Sequence, residues 1–148
     1  MSNPVIAEVT RGGSVESVHR GSWAVVGPGG ALVSSTGDIA TPVFPRSAIK
    51  AFQCLPAVEA GVVEAYGMSD EEIALACASH NGAAIHTDRV AHWLDKLGLD
   101  DDAFRCGPQE PGDIDARDGL IRAGKSPCQI HNNCSGKHAG FLTLVEHM

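Results

Sequence analysis

Several things are scarce in this sequence, and each scarcity closes a class of function. No stretch approaches the ~18 consecutive apolar residues of a membrane-spanning helix, so no membrane role is expected. The opening MSNPVIAEVTRGG lacks a charged segment followed by an apolar run. No signal peptide is read there, and a cytoplasmic location is expected. Basic charge is sparse. Eleven Lys and Arg against eighteen Asp and Glu leave a net charge of −7. That argues against a nucleic-acid partner, whose footprint is a basic patch, and leaves small polar or cationic substrates open. Cys54, Cys77, Cys106, Cys128 and Cys134 are odd in number and irregular in spacing. A disulfide framework does not suit them; buried thiols or metal ligands do. Internal repeats and low-complexity linkers are absent as well.

What is present is enough for a folded domain. The 148 residues are 43% hydrophobic, which supports a sizeable core and excludes a disordered tail. Residues 4–36 read as strands. PVIAEVTR and SVESVHRG flank Gly12-Gly13, a two-residue hairpin turn, because glycine accepts positive φ. SWAVVG and ALVSST flank Pro28-Gly29-Gly30, a second turn. The expected result is a four-stranded antiparallel meander.

From residue 45 the pattern turns helical. A helix is expected over 46–60, stopped by Gly61, with a short turn near 62–66. Ser69 and Glu72 form a capping box ahead of EEIALACAS. His86 to Leu97 places Val90, Trp93, Leu94 and Leu97 on one face, and Gly98 ends it. GLDDDAFRCGPQEPG reads as loop, its three aspartates as a solvated turn. A short helix follows over Asp115 to Ala123. A last one starts near Ser135, with Ala139, Leu142, Leu144 and Val145 as its buried face. The class is therefore α+β, an antiparallel sheet packed with helices. It is expected to be incomplete, because strands followed only by helices leave half the sheet cover unaccounted for.

Three stretches carry chemistry. In FPRSAIKAFQ, Ser47 and Lys50 stand three apart in an opening helical turn and share a face. A serine hydroxyl needs a base to become a nucleophile, and a lysine serves only when neutral. The turn's free backbone N–H groups suit a developing oxyanion. Eleven serines and four lysines produce about 0.3 accidental matches to Ser-x-x-Lys. Alone the pair reads more simply as a solvent-facing one. Its place in the first turn after a sheet segment favours catalysis.

In CASHNG, Ser79 suits a proton relay and Asn81 an orienting contact to a substrate amide. The plainer alternative is a polar helix end, with His80 and Asn81 on last-turn carbonyls and Gly82 as cap. In HNNCSGKHAG, Cys134 and His138 are four apart and could share a metal, while Cys128 lies six residues earlier. A buried thiol beside a helix start is the commoner meaning. Ser135-Gly136-Lys137 could cradle an anion, weakly, without a fuller phosphate-loop pattern.

RGGSVESVHRG, FPRSAIKAFQ, CASHNG and NNCSGKHAG occur in this order, and together they resemble the bacterial L-asparaginase II family of the Rhizobium type, class 3. The resemblance runs over residues 4–148 and implies a serine β-lactamase- or glutaminase-like fold. It implies Ser47 as nucleophile, Lys50 as its partner lysine and Ser79 as a second catalytic serine. Arg46 and His138 would line the site, with His80 and Asn81 also at the substrate. Cys134 and Lys137 would be two protein ligands of a zinc ion that aids substrate positioning. Family chains are longer. The expectation is thus that residues 1–148 are the N-terminal portion of a single catalytic domain, its C-terminal half absent. That half would carry the third zinc ligand, with Cys128 the nearest substitute by sequence.

The expected substrate is L-asparagine, hydrolysed to aspartate and ammonia through an acyl-enzyme. The expected partner is a second copy, as a homodimer, or a complementing C-terminal half. Two other classes stay open: a different serine acyltransferase or hydrolase on a β-lactamase-like scaffold, and an inactive fragment with a structural zinc site.

Overall fold

The computed structural model describes residues 3–148; Met1 and Ser2, within the expected 1–148 domain, lie outside the described residues. The class is α+β. The chain divides into two units, one closing at Phe44 and the other running Pro45–Met148. Among the described residues no helix is long and apolar enough to cross a membrane.

The first unit is two β-hairpins. Strands β1 (Val5–Arg11) and β2 (Ser14–Arg20) pair antiparallel. Gly12 and Gly13 turn them at φ +55° and +83°, conformations that a side chain would penalise. Strands β3 (Trp23–Val26) and β4 (Leu32–Thr36) pair likewise, and the Gly27 N–H donates to the Ala31 carbonyl at 2.9 Å to close the turn.

The expected single meander is thus two separate two-stranded sheets, since β2 does not pair with β3. The reason lies at Gly21. Its N–H donates to the Pro4 carbonyl at 3.2 Å, which prolongs the first hairpin. Gly21 also stays out of the left-handed region that a two-residue turn into β3 would require. No strand residue is buried.

In the second unit, the expected helix 46–60 is a tight 3-10 turn, Arg46–Ile49, running into α1 (Lys50–Glu59). The chain enters through Arg46 at φ +47°, an uncommon conformation for any residue but glycine, and the first turn is wound tighter than an α-helix. Gly61 ends α1 at φ +76° and α2 (Val62–Ala65) follows. Helix α3 (Asp70–Cys77) opens on the expected capping box. Ser69 Oγ accepts the Glu72 N–H, and Glu72 Oε2 accepts the Ser69 N–H at 2.9 Å. Glu72 is buried, and Lys96 Nζ donates to the same Oε2 at 2.9 Å, so the charge is paired.

Helix α4 (Ala84–Leu97) starts two residues before the expected His86 and ends at Gly98. Helix α5 (Ile114–Arg122) is capped by Asp113, whose carboxylate accepts the Ala116 N–H at 3.0 Å. Short 3-10 turns lie at Asp101–Ala103 and Gln129–His131. The aspartate run is not merely solvated. Asp101 accepts the N–H groups of Ile130 (2.7 Å) and Gln129 (3.1 Å) and holds the chain entering the last helix.

That helix, α6 (Ser135–His147), packs against α1, α3 and α4. Its buried face is Ser135, Gly136, Ala139, Gly140 and Thr143; Val145, expected inside, is 67% exposed. Small residues win because α6 lies almost backbone to backbone on α3. A Cβ on Gly136 would stand 2.7 Å from the Leu75 carbonyl oxygen. Trp93, fully buried on α4, anchors the other side, its Nε1–H donating to Thr143 Oγ1 at 3.0 Å.

Candidate functional site

The tight turn at Arg46–Ile49 and the first turn of α1 stack Ser47, Lys50 and Gln53 at a spacing of three. Helix α3 stops at Cys77 and Ala78 is extended (φ −112°, ψ 170°), which swings Ser79 toward α1. Lys50, 2% exposed, points its Nζ into this junction. It donates to the Ala78 carbonyl at 2.7 Å and lies 2.7 Å from Ser79 Oγ. Ser79 Oγ in turn lies 3.2 Å from Ser47 Oγ. Ser47 and Lys50 are not bonded to each other; the Ser79 hydroxyl stands between them. Hydroxyl protons rotate, so the geometry of Ser47, Ser79 and Lys50 allows a proton relay in either sense.

A cavity of about 320 Å³ opens on this chain, lined by Arg46, Ser47, Lys50, Gln53, Cys134 and Lys137. Three of these are cationic types and none is a carboxylate, a lining suited to an anionic group. A second cavity of about 630 Å³ is lined by Ser79, His80 and Asn81 together with His86, Glu71 and Arg89. Ser79 thus belongs to the wall of one cavity while its hydroxyl serves a residue of the other.

The remaining expected residues separate. Asn81 shapes the entry to α4. Its Oδ1 accepts the Ala83 N–H at 3.2 Å, and its carbonyl accepts the Asp113 N–H at 2.9 Å. His80 is buried with both ring nitrogens engaged, Nε2 at 2.9 Å from Ser135 Oγ and Nδ1 accepting the Gly82 N–H at 3.1 Å. Burial, reinforced by His86, Lys50 and His131, lowers its pKa to about 4. His138 does not line the smaller cavity. It rests edge-on against Phe104 and Phe141, and burial followed by Lys137 and Lys50 holds its pKa below the usual histidine value.

Cys134 and Lys137 face the cavity from the start of α6, one turn apart. Among the described residues no set of three or more His, Cys, Asp or Glu is grouped to hold a metal. The two donors present, a thiol and an amine, fit two corners of a tetrahedral zinc site and no more. Cys128 is not on this wall; its Sγ lies 3.2 Å from His131 Nδ1. All five cysteines are free.

Three residues that matter here were not singled out in the sequence. Gln53 continues the Ser47, Lys50 spacing and was legible from it. Gly136, quoted only as part of an anion cradle, is where α6 meets α3. Asp101, inside the aspartate run, carried no separate signal.

A family model for L-asparaginase II matches residues 7–148. No curated protein matches the chain.

Proposed function

Because the chain belongs to the L-asparaginase II family, we propose that it builds the catalytic centre of an enzyme hydrolysing the side-chain amide of L-asparagine to L-aspartate and ammonia. The observation that carries the proposal is the Ser47–Ser79–Lys50 hydroxyl–hydroxyl–amine chain, buried at its lysine end.

In this reading Lys50 is the base. The Ser47 proton passes to Ser79 Oγ as the Ser79 proton passes to Lys50 Nζ, and Ser47 Oγ attacks the amide carbon. The Ser47 N–H, at the start of its turn, serves the oxyanion. Lys50 returns its proton through Ser79 to the departing ammonia. Water, activated through the same chain, then releases aspartate from the Ser47 ester. Arg46 receives the substrate's α-carboxylate in the smaller cavity. Cys134 and Lys137 are the proposed protein donors to zinc, which when bound would help position the substrate; no chemical step is assigned to it.

The proposal includes a covering partner, either a complementing C-terminal half or a second copy in a homodimer. Phe52, Leu55 and Val58 leave an apolar stripe exposed on α1, and the zinc donors are too few.

The test is ammonia release from asparagine by the chain, alone and with the complementing half, beside trapping of the acyl-enzyme by mass spectrometry. Ser47→Ala should abolish turnover and the aspartyl adduct while the far-UV spectrum is retained. Near-normal turnover in that variant overturns the assignment. A stable β-lactam adduct on Ser47 without ammonia release would instead favour another serine acyl-transfer enzyme.

A further inference from the structure

We infer that His80 is a positioning residue whose imidazole, fixed as the Nε2–H tautomer, clamps the Ser79 loop to the chain entering α6 and so sets the Ser79 hydroxyl between Ser47 and Lys50. The inference rests on the proposed role of the Ser47–Ser79–Lys50 chain.

The tautomer follows from counting protons. Nδ1 accepts the Gly82 N–H, so Nδ1 carries no hydrogen. Ser135 Oγ has a single proton and donates it to the Ile130 carbonyl at 2.8 Å, because a carbonyl can only accept. Ser135 Oγ is therefore an acceptor toward His80 Nε2, 2.9 Å away, and that nitrogen carries the hydrogen. A third bond fastens the backbone, with the His80 N–H donating to the Asn133 carbonyl at 3.1 Å. The His86 ring stacks on the imidazole at 5.2 Å.

No nitrogen of His80 is left for a substrate, although the residue borders the larger cavity. Its neighbours make it a clamp. Gly82, at φ +78°, where a side chain is strained, is also tight for a Cβ, which would stand 3.1 Å from Pro111 and 3.2 Å from the His131 carbonyl oxygen. One residue before His80 stands Ser79, and before that Ala78, and Lys50 Nζ binds both. A displacement of this loop moves both partners of the lysine at once. Misplacement of a reacting group by ~1 Å costs about a hundredfold in rate.

Two measurements test the clamp. Imidazole nitrogen NMR at neutral pH, with the His80 signals identified by their loss in His80→Gln, should show one tautomer with Nε2 protonated and Nδ1 bare. A protonated Nδ1 or exchange between tautomers overturns the inference. In kinetics, His80→Ala and Ser135→Ala should each lower kcat by about tenfold or more and leave KM within about twofold. The double variant should be little worse than the worse single one. His80→Gln, which keeps an N–H directed at Ser135, should recover most of the loss. A raised KM with kcat retained would make His80 a substrate ligand. A lowered Tm with kcat per folded molecule retained would make it a support of the fold alone. Either result overturns the clamp. Absence of any ammonia release in the unmodified enzyme would count against the asparaginase reading, while the NMR result would still decide the tautomer.

Discussion

The two walls of the smaller cavity are held in opposite ways. On the wall made by the start of α1, backed by the end of α3, the polar groups are already paired with one another. Lys50 has two partners at 2.7 Å, Ser79 bridges to Ser47, and the loop behind Ser79 is tied down by His80. On the wall made by the start of α6, Cys134 Sγ and Lys137 Nζ make no hydrogen bond among the described residues. Lys137 merely lies 5.6 Å over the Phe141 ring. Pre-pairing suits groups that must pass a proton without reorganising. Free donors suit groups whose partner arrives from outside, as metal ligands do. The contrast predicts that substitutions on the first wall change rate or stability strongly. Those on the second should change only what it binds.

The largest effect should come from Lys50→Met, which keeps the length and apolar stem of the side chain and removes the amine. With the proposed base gone and the Ala78 carbonyl left unpaired, kcat should fall by at least about 10³-fold, read as ammonia release. Retention of more than a tenth of the rate would show that the pre-paired wall is not where the proton goes.

Next comes the seam that joins the walls. Gly136→Ala drives a Cβ to 2.7 Å from the Leu75 carbonyl oxygen, a backbone atom that cannot swing aside. Helix α6 must lift from α3, at a cost of about 3 kcal/mol in the unfolding free energy measured by urea titration. Gly119, on α5, meets nothing within 4 Å, and Gly119→Ala should not destabilise. Equal effects of the two changes would mean that the close approach is not a constraint.

How much of this could be read from residues alone follows the same division. The capping box at Ser69 and Glu72, the apolar face Val90, Trp93 and Leu94, and the glycine stops at Gly61 and Gly98 are local patterns with fixed spacing, and they are where the spacing puts them. The Ser47, Lys50 stack was legible for the same reason. Its bridging by Ser79 was not, since that contact joins residues 32 apart in sequence. Hydrophobicity alone points Val145 inward on α6, yet it is exposed, because there the closeness of the backbones decides which face is buried. Asp101 shows the reverse error: an acidic run reads as solvated until its tertiary donors, Gln129 and Ile130, are in place.

A smaller effect should appear in acid. His80 has a pKa of about 4 in the folded chain, against 6.5 for an unperturbed histidine, because its burial opposes charge. Above 6.5 both states are neutral and nothing is lost. As pH falls from 6.5 toward 4 the unfolded chain binds a proton that the folded one refuses, so stability declines, and below about 4 the loss is complete. The contribution is on the order of 3 kcal/mol. It is read as the difference between the acid-induced stability losses of the unmodified chain and of His80→Gln, which has no imidazole to protonate. Parallel losses in the two would show that the imidazole accepts a proton in place and is not locked.

The smallest effect on stability is expected on the second wall. Lys137→Met and Cys134→Ala remove groups that hold nothing in the folded chain, so each should move the unfolding free energy by no more than about 0.5 kcal/mol. Their effect should be confined to binding. If the proposed zinc site holds, zinc measured by equilibrium dialysis should be lost in both variants, with the Ser47–Ser79–Lys50 chain left in place. That last condition can be checked independently, since an acylating probe should still label Ser47 at close to its ordinary rate. Should either substitution unfold the chain instead, the unpaired donors would have been structural after all. The two walls would then differ in their residues but not in how they are held.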